Sequence, residues 1–121
     1  MIAIASTSGI NGAPTVSAYS AAKHGVLGLV RSLALEVARD GITCNAICPG
    51  FVDTDMAQSA IENLMERQSI NRDLALSKIT SGNPMRRLID PKEVAETAFF
   101  LASSSASSIN GHALSVSGGA P

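Results

Sequence analysis

Hydrophobic residues gather in three short runs that are separated by longer, more polar stretches. The runs are "MIAIAS" at 1–6, "ITCNAIC" at 42–48 and "ALSVS" at 113–117. Short apolar runs of this kind are typical of strands covered on both faces, as in a parallel sheet. Pro49 and Gly50 end the second run, because proline lacks the N–H that a strand ladder needs. The pattern therefore predicts three buried parallel strands.

Small and apolar residues recur at helical spacing between about Thr15 and Arg39. Asp40 and Gly41 then supply a stop, because glycine readily adopts the left-handed conformation found after helices. We expect one long helix here. Its apolar stripe comprises Val26, Val30, Leu33 and Val37.

A second helix is predicted to begin after Asp90. Pro91 stands at the first helical position and Glu93 at the third, which is the capping-box pattern. The helix should cover "PKEVAETAFFLAS" at 91–103. Residues 53–84, in contrast, hold two weakly amphipathic stretches, "DMAQSAIENLMERQ" and "RDLALSKIT", which together indicate an insertion lying over a neighbouring surface.

The alternation of strands and helices is typical of an α/β fold with a parallel sheet and right-handed crossovers. The chain has 121 residues, of which 45% are hydrophobic and 16% charged. That length suits one compact domain, and that composition is globular rather than disordered. We expect a single domain covering residues 1–121.

Charge and aromatic content argue against several classes of partner. The net charge is −1, with one tyrosine, three phenylalanines and no tryptophan available to stack on bases. Nucleic acid is therefore not an expected partner. The apolar runs fall short of the ~20 residues of a membrane span, and the first residues lack the order of a signal peptide. We expect a soluble cytoplasmic protein with no membrane partner.

Cys44 and Cys48 suggest a metal pair, a disulfide or two packed thiols. In a strand their side chains would point the same way but lie well apart, and no further cysteine or nearby histidine completes a tetrahedral site. Two reduced, packed thiols and no metal are expected. His24 and His112 are expected to be ordinary polar or packing residues.

The only tyrosine of the chain, Tyr19, stands four residues before Lys23 on the long predicted helix. Residues at this spacing leave one face of a helix a turn apart. A nearby ammonium favours the phenolate, so such a tyrosine can exchange a proton with a carbonyl or alcohol oxygen. Ser6 ends the first strand, at the carboxyl edge where α/β sheets bind ligands. Taken alone, this spacing is a weak signal and favours a surface pair, a tyrosine packed by its ring beside a solvated lysine.

The sequence that flanks Tyr19 and Lys23 favours the catalytic interpretation over the surface pair. The stretches "IASTSG", "YSAAKHGVLGL", "NAICPGFVDTDM" and "INGHALSVSGG" resemble, in the same order, the motifs of the short-chain dehydrogenase/reductase family. The resemblance extends over almost the whole chain. It implies the C-terminal part of a Rossmann-like doubly wound parallel sheet, a partial domain at 1–121 with a substrate lid at about 53–84.

The resemblance also implies roles for individual residues. Tyr19 would be the general acid/base and Ser6 would orient and polarise the substrate carbonyl. Lys23 would lower the tyrosine pKa and bind the nicotinamide ribose. Tyr19 and Lys23 thus also count as cofactor-binding residues. The other residues expected to line the nicotinamide are Pro49, Gly50, Val52 (through its main chain) and Thr54 (through its hydroxyl).

The implied function is an NAD- or NADP-dependent oxidoreductase that interconverts a ketone and a secondary alcohol. The residues of these motifs are similar to those of family members that act on 3-oxoacyl, 3-hydroxybutyrate or polyketide-type substrates. Substrate choice is assigned to the insertion, where Met56 and Met65 either line a pocket or simply pack.

The sequence departs from the family pattern in several places. Its catalytic asparagine and its glycine-rich phosphate turn have no counterpart here, so only the nicotinamide end of the cofactor site is expected. Ala3 replaces the usual asparagine, Arg86 a usual glycine, and Ser117 a usual aspartate, whose loss is expected to loosen the last turn.

These departures lead to two expectations about the isolated chain. It should be weakly active or inactive alone, and it should form a homo-oligomer, a dimer or tetramer, through the edge of the first strand or the long helix. The alternative is a non-enzymatic truncated fragment that folds by oligomerisation.

Overall fold

The computed structural model describes residues 1–120 and contains one parallel sheet. Its strands are β1 (Ile2–Ile4), β2 (Asn45–Pro49) and β3 (Ala113–Val116), in the order β1-β2-β3. The three predicted strands and the parallel α/β class are confirmed. The second strand begins later than predicted, because the N–H of Cys44 donates to the side chain of Asn110 rather than to a strand.

Four α-helices connect and follow the strands: α1 (Ser17–Glu36), α2 (Asp55–Gln68), α3 (Arg72–Ile79) and α4 (Pro91–Ala102). The prediction that the long helix begins at Thr15 was wrong by one half-turn, because Thr15 has a φ of 68° and cannot be helical. A short 3₁₀ turn follows α1 and ends at Gly41, whose φ of 72° is the left-handed stop that was predicted.

The start of α4 has the predicted capping box. The carboxylate of Asp90 accepts a hydrogen bond from the N–H of Lys92 at 2.8 Å, and the side chain of Glu93 accepts one from the N–H of Asp90 at 2.8 Å. Pro91 occupies the first helical turn. These bonds satisfy two of the N–H donors that the first turn leaves without an intrahelical partner, and they fix where α4 begins.

Helices cover both faces of the sheet, and β2 is buried along its whole length. Alternate residues of β2 face opposite sides, so Ala46 and Cys48 pack on α1 while Ile47 packs on α4. The α1 side is completed by Leu27, Val30 and Ala34. The sheet is thus held between two layers, with its carboxyl edge left open.

The two cysteines are both buried and free, as predicted. Cys44 and Cys48 belong to the same apolar cluster on the α1 face of the sheet. Burial raises the pKa of the Cys48 thiol, and hydrogen bonding from the backbone of Ser6 opposes that rise. Cys48 is therefore a neutral core residue that lies directly under the end of β1.

Two asparagines fasten β2 to the turn before β3. The amide of Asn45 donates to the C=O of Ile109 at 2.7 Å and its oxygen accepts from the N–H of His112 at 3.0 Å. Asn110 donates to the C=O of Ala34 at 2.9 Å, which ties the same turn to α1. Buried polar groups that are fully paired in this way fix the register of the elements they join.

Replacing Asn45 with alanine is expected to lower the free energy of unfolding by about 2 kcal/mol or more, because two buried backbone groups lose their partners. Urea denaturation of the two proteins measures the difference. Asn11→Ala, at an exposed loop position, is the matched control and should change stability by less than about 0.5 kcal/mol. Equal stability of Asn45→Ala and the parent protein would contradict this account of the turn.

Within residues 1–120, no helix combines the length and the apolar character needed to cross a membrane. The same part of the chain contains no group of three His, Cys, Asp or Glu side chains arranged to hold a metal ion.

Candidate active site

Tyr19 and Lys23 lie in the first two turns of α1, at the carboxyl edge of the sheet. The Nζ atom of Lys23 is 5.6 Å from the centroid of the Tyr19 ring. That distance is within the range of a cation–π contact. Tyr19 as a residue remains 45% exposed, so the phenol is not enclosed in the core and the ammonium lies beside its ring.

Lys23 is also tied to the end of β1. Its Nζ donates a hydrogen bond to the C=O of Ile4 at 3.1 Å. That carbonyl points away from β2, since the ladder to β2 uses the N–H of Ala5, which donates to Ile47. The contact holds the ammonium at the point where β1 ends, and a hydroxyl-bearing ligand at this point would compete for the same donor.

Ser6 follows β1 and caps a 3₁₀ turn at Thr7–Gly9. Its Oγ accepts a hydrogen bond from the N–H of Ser8 at 3.1 Å, and its C=O accepts one from Gly9 at 2.9 Å. Within residues 1–120 the Ser6 hydroxyl donates to no acceptor, so its hydrogen is available to a ligand.

The turn after Ser6 packs directly on α1. A β-carbon at Gly9 would lie 2.8 Å from the main-chain oxygen of Lys23, which is closer than carbon and oxygen can approach. Only glycine permits this approach. The contact brings the turn that carries Ser6 against the helical turn that carries Lys23, and Tyr19 lies one turn earlier on that helix.

The loop after β2 passes close to the end of β3. The N–H of Gly50 donates to the C=O of Val116 at 3.1 Å, and a β-carbon at Gly50 would be 3.4 Å from the Cα of Ser117. Pro49 is the last residue of β2 and is buried. This segment therefore leaves the sheet at its carboxyl edge, the edge at which Ser6 and Lys23 lie.

Val52 forms an isolated parallel bridge with Ile89. The bridge uses the neighbours of Val52: the N–H of Asp53 donates to Ile89, and the N–H of Ile89 donates to Phe51, each at 2.9 Å. In this pattern the N–H and C=O of Val52 itself point to the opposite side. The hydroxyl of Thr54 donates to that C=O at 3.3 Å, and the Val52 N–H has no partner within residues 1–120.

Helices α2 and α3 pack against each other. Gln58 donates to Asp53 at 2.6 Å and accepts from Arg72, which links the two helices to the start of the loop. Met56 is 79% exposed and Met65 is half-buried. The weakly amphipathic stretches thus form two helices, with Met56 on their solvent side.

The remaining polar residues singled out in the sequence lie away from this cluster or bond locally. His24 contacts the C=O of Ser20 one turn earlier at 2.9 Å, and His112 is exposed. Ser117 is buried, and its hydroxyl donates to the C=O of Ala120 at 2.9 Å. The last turn therefore holds one hydrogen bond from the serine, and the expected loosening relative to aspartate stays a prediction.

Two features of the segments that flank the site were not predicted from the sequence. One is the Val52–Ile89 bridge, and the other is an ion pair between Arg87 and Glu93 at 2.7 Å. Glu93 was identified only as a capping residue. The arginine six residues before it was the available signal for the ion pair.

Comparison with known families agrees with this geometry. The family model described as enoyl-(acyl carrier protein) reductase, of the short-chain type, matches residues 1–121. The chain belongs to the short-chain dehydrogenase/reductase family. The resemblance noted in the motifs is thereby confirmed.

Short-chain relatives differ in their named activities. The 3-oxoacyl-[acyl-carrier-protein] reductase of Chlamydia trachomatis is 40% identical over 119 residues, which are 98% of this chain and 44% of the relative. The D-beta-hydroxybutyrate dehydrogenase of Rhizobium meliloti is 38% identical over 120 residues, 98% of this chain and 46% of the relative. The chain spans about half the length of the curated relatives it matches.

Solved short-chain structures have the same fold. An actinorhodin polyketide ketoreductase variant, solved with NADPH, is 42% identical and matches with a TM-score of 0.90, covering 98% of this chain and 45% of that one. A short-chain dehydrogenase family protein from Francisella tularensis is 30% identical, with a TM-score of 0.93 and coverage of 98% and 49%. The predicted Rossmann-like sheet is confirmed.

Proposed function

We propose that this chain carries the catalytic side of an NAD(P)-dependent oxidoreductase that interconverts a ketone and a secondary alcohol. One observation carries the proposal: the ammonium of Lys23 is 5.6 Å from the Tyr19 ring and bonds to the end of β1, two residues before Ser6. A phenol, an ammonium and a free hydroxyl donor at one sheet edge are the groups that carbonyl reduction requires.

The residues of this chain fit the nicotinamide end of such a cofactor. The unpaired N–H of Val52 is available to an amide oxygen, and the ammonium of Lys23 can donate to ribose hydroxyls in place of Ile4. The hydroxyl of Thr54 is exposed beside them, and Pro49 and Gly50 form the adjoining wall. When bound, the nicotinamide supplies or accepts the hydride.

The protein groups supply and hold the proton. The Tyr19 hydroxyl donates its proton to the carbonyl oxygen during reduction and takes it back during oxidation. The ammonium of Lys23 stabilises the phenolate that remains, because opposite charges nearby favour the charged form of a group. Ser6 donates a hydrogen bond to the same oxygen and stabilises the charge that develops there.

A 3-oxoacyl or 3-hydroxyacyl compound is the proposed substrate class. The residues of the motifs support this class. Two relatives agree with it by name, a 3-oxoacyl-[acyl-carrier-protein] reductase and a D-beta-hydroxybutyrate dehydrogenase. Helices α2 and α3 follow the site in sequence and are proposed to cover the acyl chain. The coenzyme is left as NAD or NADP.

We further propose a homo-oligomer that buries the outer face of α1. That face exposes Leu29 and Leu35, the latter by 83%, beside the small residues Gly25 and Gly28. Small residues allow two helices to approach closely, and exposed leucines supply apolar area. The mass in solution, measured by light scattering, tests this: a monomer at high concentration would contradict it. A cytoplasmic location is part of the proposal, since free buried thiols suit a reducing compartment.

Lys23→Met tests the cofactor site. Losing hydrogen bonds from a charged group should weaken NADPH or NADH binding about 10- to 100-fold. Isothermal titration of the parent protein and the variant measures this change. His24→Ala, which removes an exposed side chain from the next position of α1, is the control and should bind as the parent does. No saturable binding by the parent protein would favour the non-enzymatic alternative.

A further inference from the structure

Arg87 and Glu93 form a clamp on the surface near the start of α4. The Nη1 and Nη2 atoms of Arg87 donate to the two carboxylate oxygens of Glu93 at 2.7 and 2.8 Å. Nη1 also donates to the C=O of Leu88 at 3.1 Å. Paired bonds between a guanidinium and a carboxylate hold both side chains in one fixed orientation.

The clamp also fixes the backbone between its two members. Glu93 accepts a hydrogen bond from the N–H of Asp90, so the carboxylate bonds to residues on both sides of Ile89. Hydrogen bonding from Arg87 lowers the pKa of Glu93 to about 2, with the Asp90 N–H as the next cause. The segment from Arg87 to Asp90 is thereby held against the first turn of α4.

Ile89 lies inside this clamped segment and is the residue that pairs with the loop after β2. Its side chain is only 2% exposed, and its N–H and C=O bond to Phe51 and Asp53 at 2.9 Å. The bridge sets the direction of the peptide group between Phe51 and Val52. Arg87 is therefore two residues before Ile89, whose N–H fixes the peptide group that carries the free N–H of Val52.

We propose that Arg87 and Glu93 are positioning residues for the N–H of Val52, and that they act through Ile89. The inference rests on the proposed function in one respect, the assignment of that N–H to the nicotinamide carboxamide. Neither side chain contacts the cofactor site itself.

Because the ion pair is partly exposed, a local effect on the bridge can be distinguished from an effect on the stability of the whole fold. Both side chains are about half accessible, at 47% and 39%, and ion pairs at such positions contribute little to the free energy of unfolding. A purely structural role would leave the variant unchanged or loosen the whole fold. A positioning role loosens the Val52–Ile89 bridge selectively.

Amide hydrogen exchange of ¹⁵N-labelled protein, measured without cofactor, tests the selectivity. In Arg87→Gln the amides of Asp53 and Ile89 should exchange about tenfold faster, as expected for a local opening. The amides of Ala5 and Ala46, which bond within the sheet, should keep their rates. Unchanged rates at Asp53 and Ile89, or a uniform increase at all four, would overturn the proposal.

Two further variants sharpen the comparison. Arg86→Gln removes the neighbouring arginine, which bonds only to the C=O of Ser81, and should leave Asp53 and Ile89 unchanged. Arg87→Lys keeps the charge but loses the two-pronged geometry, so its exchange rates should lie between those of the parent and Arg87→Gln. Faster exchange in Arg86→Gln than in Arg87→Gln would overturn the assignment.

The pH dependence gives an independent check. The charged group that bonds to Glu93 is the guanidinium of Arg87, and Asp90 contributes its main-chain N–H. Because the folded pKa is depressed from 4.5 to about 2, the clamp is present above pH ~4.5 and is lost as pH falls toward ~2. The amide shift of Ile89 should follow the titration of Glu93, and its midpoint should lie at a higher pH in Arg87→Gln, because the guanidinium that lowers the pKa of Glu93 is gone. Identical titrations in both proteins would overturn the proposal.

Cofactor titration distinguishes this inference from the function on which it partly rests. If the parent protein binds NADPH, Arg87→Gln should raise the dissociation constant about tenfold, the effect of one misplaced hydrogen bond. Unaltered affinity would overturn the link to Val52. If the parent binds no cofactor, the proposed function fails, whereas the exchange experiment still decides whether the clamp orders the bridge.

Discussion

Tyr19→Phe is expected to lower the rate of carbonyl reduction by about 10²- to 10⁴-fold, the usual effect of losing a positioned acid or base. The substitution removes one oxygen and keeps the ring that faces Lys23. The fold and the affinity for cofactor should therefore stay near those of the parent protein. Oxidation of NADPH in the presence of a 3-oxoacyl thioester, followed by absorbance, measures the rate.

Two controls separate the lost proton donor from a damaged site. His24→Ala alters an exposed side chain of the same helix and should retain the parent rate. Ser6→Ala should reduce the rate without abolishing binding, since it removes a donor to the same oxygen. Where the parent protein reduces the thioester at a measurable rate, a Tyr19→Phe protein with that same rate would exclude Tyr19 as the acid/base.

Gly9→Ala is the second substitution with a large expected effect. The new β-carbon would lie 2.8 Å from the main-chain oxygen of Lys23, so α1 and the Ser6 turn must move apart. Overpacking of this kind costs about 1–3 kcal/mol of stability. A displacement of about 1 Å between catalytic groups lowers a rate about 10²-fold. Thermal unfolding and the reduction assay measure the two effects.

Gly12→Ala is a matched control in the same loop. A β-carbon there meets nothing within 4 Å, and the change in backbone entropy on replacing glycine is the same. This variant should be at least as stable as the parent and equally active. Equal stability and equal activity of the two alanine variants would mean that the close approach of Gly9 to α1 affects neither property.

The regular elements were the most predictable part of the fold. Asp90, Pro91 and Glu93 specify the start of α4 through local bonds, so the sequence pattern was sufficient. The ends of other elements depend on distant partners. Thr15 takes a left-handed conformation outside α1, and Cys44 bonds to Asn110, 66 residues away. Such contacts cannot be predicted from the local periodicity of hydrophobic residues.

The site, too, has features that the sequence could predict and features that depend on contacts between distant residues. Tyr19 and Lys23 share a helix face by spacing alone, and Ser6 could be assigned to the end of β1 from the strand pattern. The bond from Lys23 to Ile4 could not be predicted, because it joins a helix to a strand across the sheet edge. The Val52–Ile89 bridge joins two loops whose sequences show no alternation, so only the folded chain reveals it.

The insertion was the least predictable region. Its charged and apolar residues alternate weakly, and helix α3 has only Ala75 fully buried. The side chains that hold it are polar pairs such as Gln58 with Asp53 and Asn71 with the N–H of Leu74. Polar bonds of this kind depend on exact placement rather than on hydrophobic spacing.

The central claim is that one hydride and one proton meet at a carbonyl held between Tyr19, Ser6 and the nicotinamide. Its most direct test is the mass of the alcohol formed from a 3-oxoacyl thioester and NADPH carrying deuterium at both C4 positions. The account predicts one deuterium on the carbinol carbon with the parent protein and essentially no labelled alcohol with Tyr19→Phe. Alcohol without the label, or equal labelling by both proteins, would contradict it.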